Sequence, residues 1–141
     1  MKISVIIACH NEEHTLRETL EGIAAQEWDE PWEVIFADNG STDGSRAVFL
    51  AMAEGRPDWR LVDASDRRGK SYALNTGIAA ARAPALLSCD ADDVPAAGWL
   101  RAMGEALAVN DFVGCRAEFD RLNSGWVRGY RHYGANESGL G

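Results

Sequence analysis

Apolar residues along the chain fall into two alternating patterns: short continuous runs, and longer stretches with apolar positions three or four residues apart. The runs Ile3 to Ala8, Glu33 to Ala37, Arg60 to Val62, Leu86 to Cys89 and Phe112 to Cys115 predict five strands, several apolar on both faces. A strand with two apolar faces needs cover on both sides. Between the first two runs, Leu16, Leu20, Ile23 and Ala24 recur at helical spacing, with Asn11 placed to cap the start. Glu12 and Glu13 suit the positive end of that helix. Further helices are predicted over residues 43–53, over 70–81 with Leu74, Ile78 and Ala81 on one face, and after Pro95 with Trp99, Met103 and Leu107. Such alternation predicts a three-layer α/β/α domain around a mainly parallel central sheet.

Length and composition narrow this picture. At 141 residues and 46% apolar content the chain can bury one hydrophobic core. A net charge of -8 excludes a surface that wraps nucleic acid, which needs Lys and Arg against phosphate. Cys9, Cys89 and Cys115 are odd in number and end apolar runs, which predicts buried free thiols in a reducing compartment. The first hydrophobic stretch is too short to span a membrane and lacks a signal-peptide cleavage pattern. Residues 116–141 carry five glycines with Phe119, Trp126, Tyr130 and Tyr133 and no clear period, so an ordered domain is expected over 1–115 and an irregular, incomplete segment after it.

In open parallel sheets, ligands bind beyond the carboxyl ends of the strands. Four polar clusters follow the strand runs: His10-Asn11-Glu12-Glu13, Asp38-Asn39-Gly40-Ser41-Thr42-Asp43, Asp66-Arg67-Arg68-Gly69-Lys70 and Asp90-Ala91-Asp92-Asp93. Right-handed crossovers bring them to one rim of the sheet. Neither glycine-rich phosphate loop follows the first strand, so another phosphate device is required. Asp90 and Asp92 offer hard carboxylate oxygens suited to Mg²⁺ or Mn²⁺. Asp38 and Asn39 can read a base edge or ribose hydroxyls, and Lys70 or Arg68 can meet phosphate charge. Plainer roles compete: Asp93 as a cap of the fourth helix, Ser41 and Asp43 as turn residues, Arg67 and Arg68 as a solvated pair, His14 and His132 as exposed side chains.

Taken in order, these segments resemble the family 2 glycosyltransferases with a GT-A fold, also described as nucleotide-diphospho-sugar transferase-like. The resemblance rests on Ser4 to Glu13, on Asp38-Asn39-Gly40-Ser41-Thr42-Asp43-Gly44, on Gly69-Lys70 with Ala73-Leu74-Asn75-Thr76-Gly77, and on Asp90-Ala91-Asp92-Asp93. It implies transfer of a sugar from a nucleotide-diphosphate donor to an acceptor hydroxyl, metal-assisted and inverting. It also implies that Ala8, His10, Asn11, Glu12, Asp38, Asn39, Lys70, Asp90 and Ala91 surround the nucleotide, with Asp90 and Asp92 on the cation. Many members have a second acidic residue where this chain has Asn39, which loosens the preference for a UDP-sugar and keeps GDP- and dTDP-sugars as alternatives.

Gly134-Ala135-Asn136 resembles a family segment that precedes a Glu-Asp pair; that pair is absent here, so the general base is expected beyond Gly141 and the 141-residue chain, truncated relative to the family, is expected to bind donor without turning it over. The implied acceptor is a carbohydrate or lipid-linked hydroxyl, and the implied location is the cytoplasm, with the inner face of the membrane open to the parent protein. Two rival readings are a nucleotidyltransferase, which would carry a basic glycine-rich loop near its start, and a non-catalytic nucleotide-binding or phosphoacceptor signalling module, which would carry an acidic pair after the first strand and a single reactive Asp after the third, where this chain clusters its acids after the second and fourth.

Overall fold

The computed structural model describes residues 2–115. In order along the chain it forms β1 (Ile3–Cys9), α1 (Glu13–Ala24), β2 (Trp32–Asp38), α2 (Ser45–Ala53), β3 (Trp59–Asp63), α3 (Lys70–Ala80), β4 (Ala85–Ser88) and α4 (Trp99–Leu107). The four strands form one sheet in the order β3-β2-β1-β4, and every pairing is parallel. All four strands therefore end on the same rim.

Strand alternation sorts the side chains between two layers. Ile3, Val5, Ile7 and Cys9 of β1, with Val34 and Phe36 of β2 and Ala85 and Leu87 of β4, pack against Leu16, Leu20 and Ile23 of α1, Phe49 of α2 and Leu100 of α4. Phe49 stacks on Phe36 with ring centroids 4.5 Å apart and on Trp59 at 6.1 Å. The opposite face belongs to α3. Its buried residues are Ala73 and Gly77, while Ile78 is 39% exposed, so the expected stripe of Leu74, Ile78 and Ala81 is displaced by one position. Close approach explains the shift: a Cβ at Gly77 would lie 2.5 Å from Cγ2 of Ile6 and 3.5 Å from Cβ of Ala37.

A buried polar network pins the far end of this layer. Glu33, 7% exposed, accepts from the Ser4 hydroxyl at 2.7 Å, from the Arg82 N–H at 2.7 Å and from Arg60 at 2.8 Å. Arg60 also donates to the carbonyl that ends α3, Ala80 O, at 2.7 Å. Burial works to raise the Glu33 carboxyl, and the Ser4, Arg82 and Arg60 donors outweigh it, leaving Glu33 below its ordinary value.

Three sequence expectations are corrected here. Residues 112–115 form no strand, and Phe112 is 91% exposed: an apolar run becomes a strand only when an edge pairs with it, and none does among the described residues. Helix α4 begins at Trp99 behind Gly98, whose φ of 79° only glycine adopts without strain, so Asp93 does not cap it. Cys115 is exposed, whereas Cys9 and Cys89 are buried and free as expected.

Candidate functional site

The carboxyl ends of β1, β2 and β4 and the start of α3 open onto a cleft of about 240 Å³. It is lined by Ala8, Cys9, His10, Glu12, Asn39, Lys70, Asp90, Ala91 and Asp92. Parallel topology does this, because each crossover returns the chain to the same rim. The volume is at the low end for a small-molecule site. Cys9 was not among the residues expected here. The signal for it is strand length: β1 runs one residue further than the apolar run suggested, and its last residue reaches the rim.

Two expected residues stand elsewhere. Asp38 is the final residue of β2, and its side chain turns under α2 to Arg46 rather than out to the cleft. It is fully buried there, accepting from Arg46 at 2.9 Å and from the Ser41 N–H at 3.2 Å. Asn11 does not cap α1. With φ at 53° it sits in the left-handed region, and its side-chain carbonyl accepts from the N–H groups of Thr42 at 2.7 Å and Asp43 at 3.3 Å. The starts of α1 and α2 instead cap one another. Ser45 Oγ accepts from Glu12 N–H and Asp43 from Glu13 N–H, while the Glu13 carboxylate accepts from Gly44 N–H at 2.8 Å. Ser41 and Asp43 are thus the turn and capping residues that the sequence suggests, and they stiffen the loop that presents His10.

The acidic cluster occupies the other wall. One oxygen from each of Asp90, Asp92 and Asp93 lies within 4.8 Å of the others. Opposite ligands around Mg²⁺ stand about 4.2 Å apart, so small side-chain adjustments would close these oxygens on one cation. Asp93 joins the pair that the sequence singled out. Partial desolvation, with repulsion from Asp92 and Asp90, holds the Asp93 carboxyl above its ordinary value. Lys70 Nζ lies 2.6 Å from Asp90, and that hydrogen bond, with the fields of Asp92 and Asp93, raises the Lys70 ammonium. Both partners are largely exposed, so the pair contributes at most about 1 kcal/mol to stability. Three carboxylates facing one ammonium leave an excess of negative charge that a divalent cation fits.

Sequence reasoning missed what holds this loop. Thr19 of α1, with no solvent exposure, donates to Ala91 O at 3.0 Å, and Thr15 donates to the same carbonyl at 3.3 Å. Burial drives the Cys9 thiol up to about 11 and the Cys89 thiol to about 12, so both stay protonated at neutral pH.

On the facing wall, His10 Nδ1 lies 2.9 Å from Asn39 O, and Arg68 Nη2 lies 2.8 Å from His10 Nε2. A carbonyl only accepts, so Nδ1 carries the hydrogen and Nε2 receives Arg68. The Asn39 side chain faces away from this pair. Its amide nitrogen donates to Ala64 O and Arg67 O, both at 2.6 Å, and its oxygen accepts from Gly69 N–H at 2.9 Å. Arg68 is therefore bonded to the cleft's own histidine, which the reading of Arg67 and Arg68 as a solvated pair did not foresee. His14 is exposed as expected, at 94% of its side chain.

Comparison with known proteins identifies the family. Residues 4–139 match the family described as Glycosyl transferase family 2, and the chain belongs to that family. It is 34% identical over 123 residues to an uncharacterised glycosyltransferase of Nostoc sp., a match covering 87% of this chain and 38% of that protein. A mannosyltransferase from Pyrobaculum calidifontis, solved with GDP-Man and Mn²⁺, superposes with a TM-score of 0.67 at 33% identity, covering 79% of this chain and 33% of that one. Glucosyl-3-phosphoglycerate synthase from Mycobacterium tuberculosis, solved with Mn²⁺, UDP and glucosyl-3-phosphoglycerate, gives 0.55 at 28% identity, covering 64% and 33%. The fold is the GT-A fold of these transferases. The chain spans 33–38% of their lengths.

Proposed function

We propose that this chain forms the donor-binding wall of a glycosyltransferase that moves a sugar from a nucleotide-diphosphate sugar to an acceptor hydroxyl, with Mg²⁺ or Mn²⁺ held by Asp90 and Asp92. The observation that carries the reading is the convergence of Asp90, Asp92, Lys70, His10 and Asn39 on one cleft at the strand ends. The relatives solved with Mn²⁺ beside GDP-Man or UDP support it. They also keep both UDP- and GDP-sugars open as donors.

The bound cation supplies positive charge that stabilises the departing diphosphate. The chain's own residues do the rest. Asp90 and Asp92 hold the cation, and Asp93 adds a third oxygen to the same cluster. Lys70, already at the rim of that cluster, would offset phosphate charge beside it. His10, with its hydrogen on Nδ1, keeps Arg68 at the cleft as a second cation. Ala8 and Ala91 are small and leave room for the nucleotide, while Glu12 brings to the cleft a carboxylate able to accept from ribose hydroxyls. Asp38 and Asn11 serve by fixing the loops.

The inverting course requires a carboxylate near the acceptor hydroxyl, and we place that base outside the described residues. The acceptor is a carbohydrate or lipid-linked hydroxyl, and the reaction is assigned to the cytoplasm or the inner membrane face. No helix among the described residues is long and apolar enough to cross a membrane. Family membership removes the footing of the nucleotidyltransferase and signalling readings. Calorimetric titration of GDP and UDP, with and without Mn²⁺, tests the proposal. Binding should require the metal and vanish in Asp92→Ala; binding indifferent to both would overturn it.

A further inference from the structure

Asn39 was expected to read the nucleotide base, and its side-chain geometry points to a different task. The residue is 4% exposed and stands where β2 ends. A carboxamide has two N–H hydrogens and one oxygen. Both hydrogens go to backbone carbonyls of the segment between β3 and α3, Ala64 O and Arg67 O, and the oxygen takes the N–H of Gly69. No hydrogen remains for a ligand. Only one orientation of the amide satisfies two carbonyls and an N–H together, so the side chain is locked. Gly69, whose N–H makes that bond, has φ at 130°, a conformation that L side chains rarely adopt, and there the chain turns into α3.

The segment so held carries the site's two basic groups. Arg68 reaches His10 Nε2 at 2.8 Å, and Lys70 opens α3 with its ammonium on Asp90 at 2.6 Å. The Asn39 backbone carbonyl fixes the other nitrogen of the same histidine. One residue thus sets Arg68 from both ends, through the loop by its side chain and through His10 by its backbone. Aspartate here would have no hydrogen to give and would set a carboxylate against two carbonyl oxygens now 2.6 Å away.

We infer that Asn39 is a positioning residue, a latch that holds residues 64–69 against β2 and so places Arg68 and Lys70 for the donor's phosphates, and that the identity of the base is read by other groups. This rests on the nucleotide-sugar reading for its consequence but not for its geometry, and the experiment separates the two. Limited trypsin digestion of the full chain cuts after Arg67 and Arg68, with cuts after Arg46 and Arg56 as internal reference, for the unaltered protein, Asn39→Asp, Asn39→Ala and Arg68→Ala. In parallel, GDP and UDP affinities are measured with Mn²⁺.

The latch predicts that Asn39→Asp speeds cleavage at Arg67 and Arg68 about tenfold relative to the reference sites, with Asn39→Ala affected less. It also predicts that GDP and UDP weaken by the same factor, and that adding Arg68→Ala to Asn39→Asp costs no further affinity. Unchanged relative cleavage in both Asn39 variants overturns the inference. So does a severalfold change in the ratio of GDP to UDP affinity at unchanged cleavage, which would make Asn39 a reader of the base. If the unaltered protein binds neither nucleotide, the functional proposal fails while the cleavage pattern still judges the latch.

Discussion

Replacing Thr19 by valine removes one buried hydroxyl and leaves the shape of the side chain nearly intact. That hydroxyl donates to Ala91 O at 3.0 Å and is the shorter of two bonds from α1 to the backbone between Asp90 and Asp92; Thr15 supplies the other at 3.3 Å. Loss of a net hydrogen bond costs about 0.5–1.5 kcal/mol, and a carbonyl left short of donors adds to it, so about 1–2 kcal/mol is expected. For a domain of this size that lowers the melting temperature by roughly 3–6 °C. Because the lost bond fixes the carboxylate loop, Mn²⁺-dependent nucleotide affinity should fall by about fivefold or more. Thr19→Ser keeps the donor and should restore affinity while still losing stability for its missing methyl. Calorimetry and thermal unfolding on the three proteins read both effects. Wild-type affinity in Thr19→Val, or equal losses in Thr19→Val and Thr19→Ser, would refute the claim that this hydroxyl positions the metal ligands.

Two further substitutions separate scaffold from site. Asp38→Asn leaves Arg46 without its anionic partner and should cost roughly 1–3 kcal/mol of stability, seen as a lower denaturation midpoint, with nucleotide affinity changed less than twofold. A large loss of affinity at unchanged stability would return Asp38 to the binding site. The Glu33 carboxyl is held below its ordinary 4.5, so its stabilisation is fully present above that pH and is lost as pH falls through the lower folded value. Glu33→Gln should therefore be less stable near neutrality and lose less on acidification; parallel stability curves for the two proteins between pH 3 and 6 would contradict this.

Much of the architecture was legible because apolar periodicity reports on burial directly. The runs in β1 to β4 and the stripe of α1 are places where hydrophobic residues had only one way to be covered, whereas in α4 the expected Trp99, Met103 and Leu107 are half-buried and Leu100 and Gly104 are the buried positions. The run at 112–115 is likewise apolar but has no partner among the described residues, since pairing is a tertiary property that composition does not encode. In α3 the displaced stripe has a related origin: a small-residue face, Ala73 and Gly77, packs more closely than the larger Leu74 and Ile78 could.

The cleft followed from topology, so Ala8, His10, Glu12, Lys70, Asp90, Ala91 and Asp92 gathered as expected. Asp38 and Asn11 did not, because their roles depend on one-residue facts: the exact end of β2, and a backbone that turns left-handed at Asn11. Thr19 was hidden for a different reason. A threonine inside an amphipathic helix reads as ordinary surface or core until the loop from β4 is seen to lie on it.

The central claim is that the carboxylates after β4 hold the metal that meets the donor's diphosphate. Anomalous diffraction at the manganese edge, from crystals grown with Mn²⁺ and GDP or UDP, addresses it most directly. A peak about 2.1–2.3 Å from oxygens of Asp90 and Asp92, with the nucleotide lying along His10 and Lys70, is the predicted result. A nucleotide bound at the opposite rim of the sheet, or a metal site that excludes both aspartates, would contradict it.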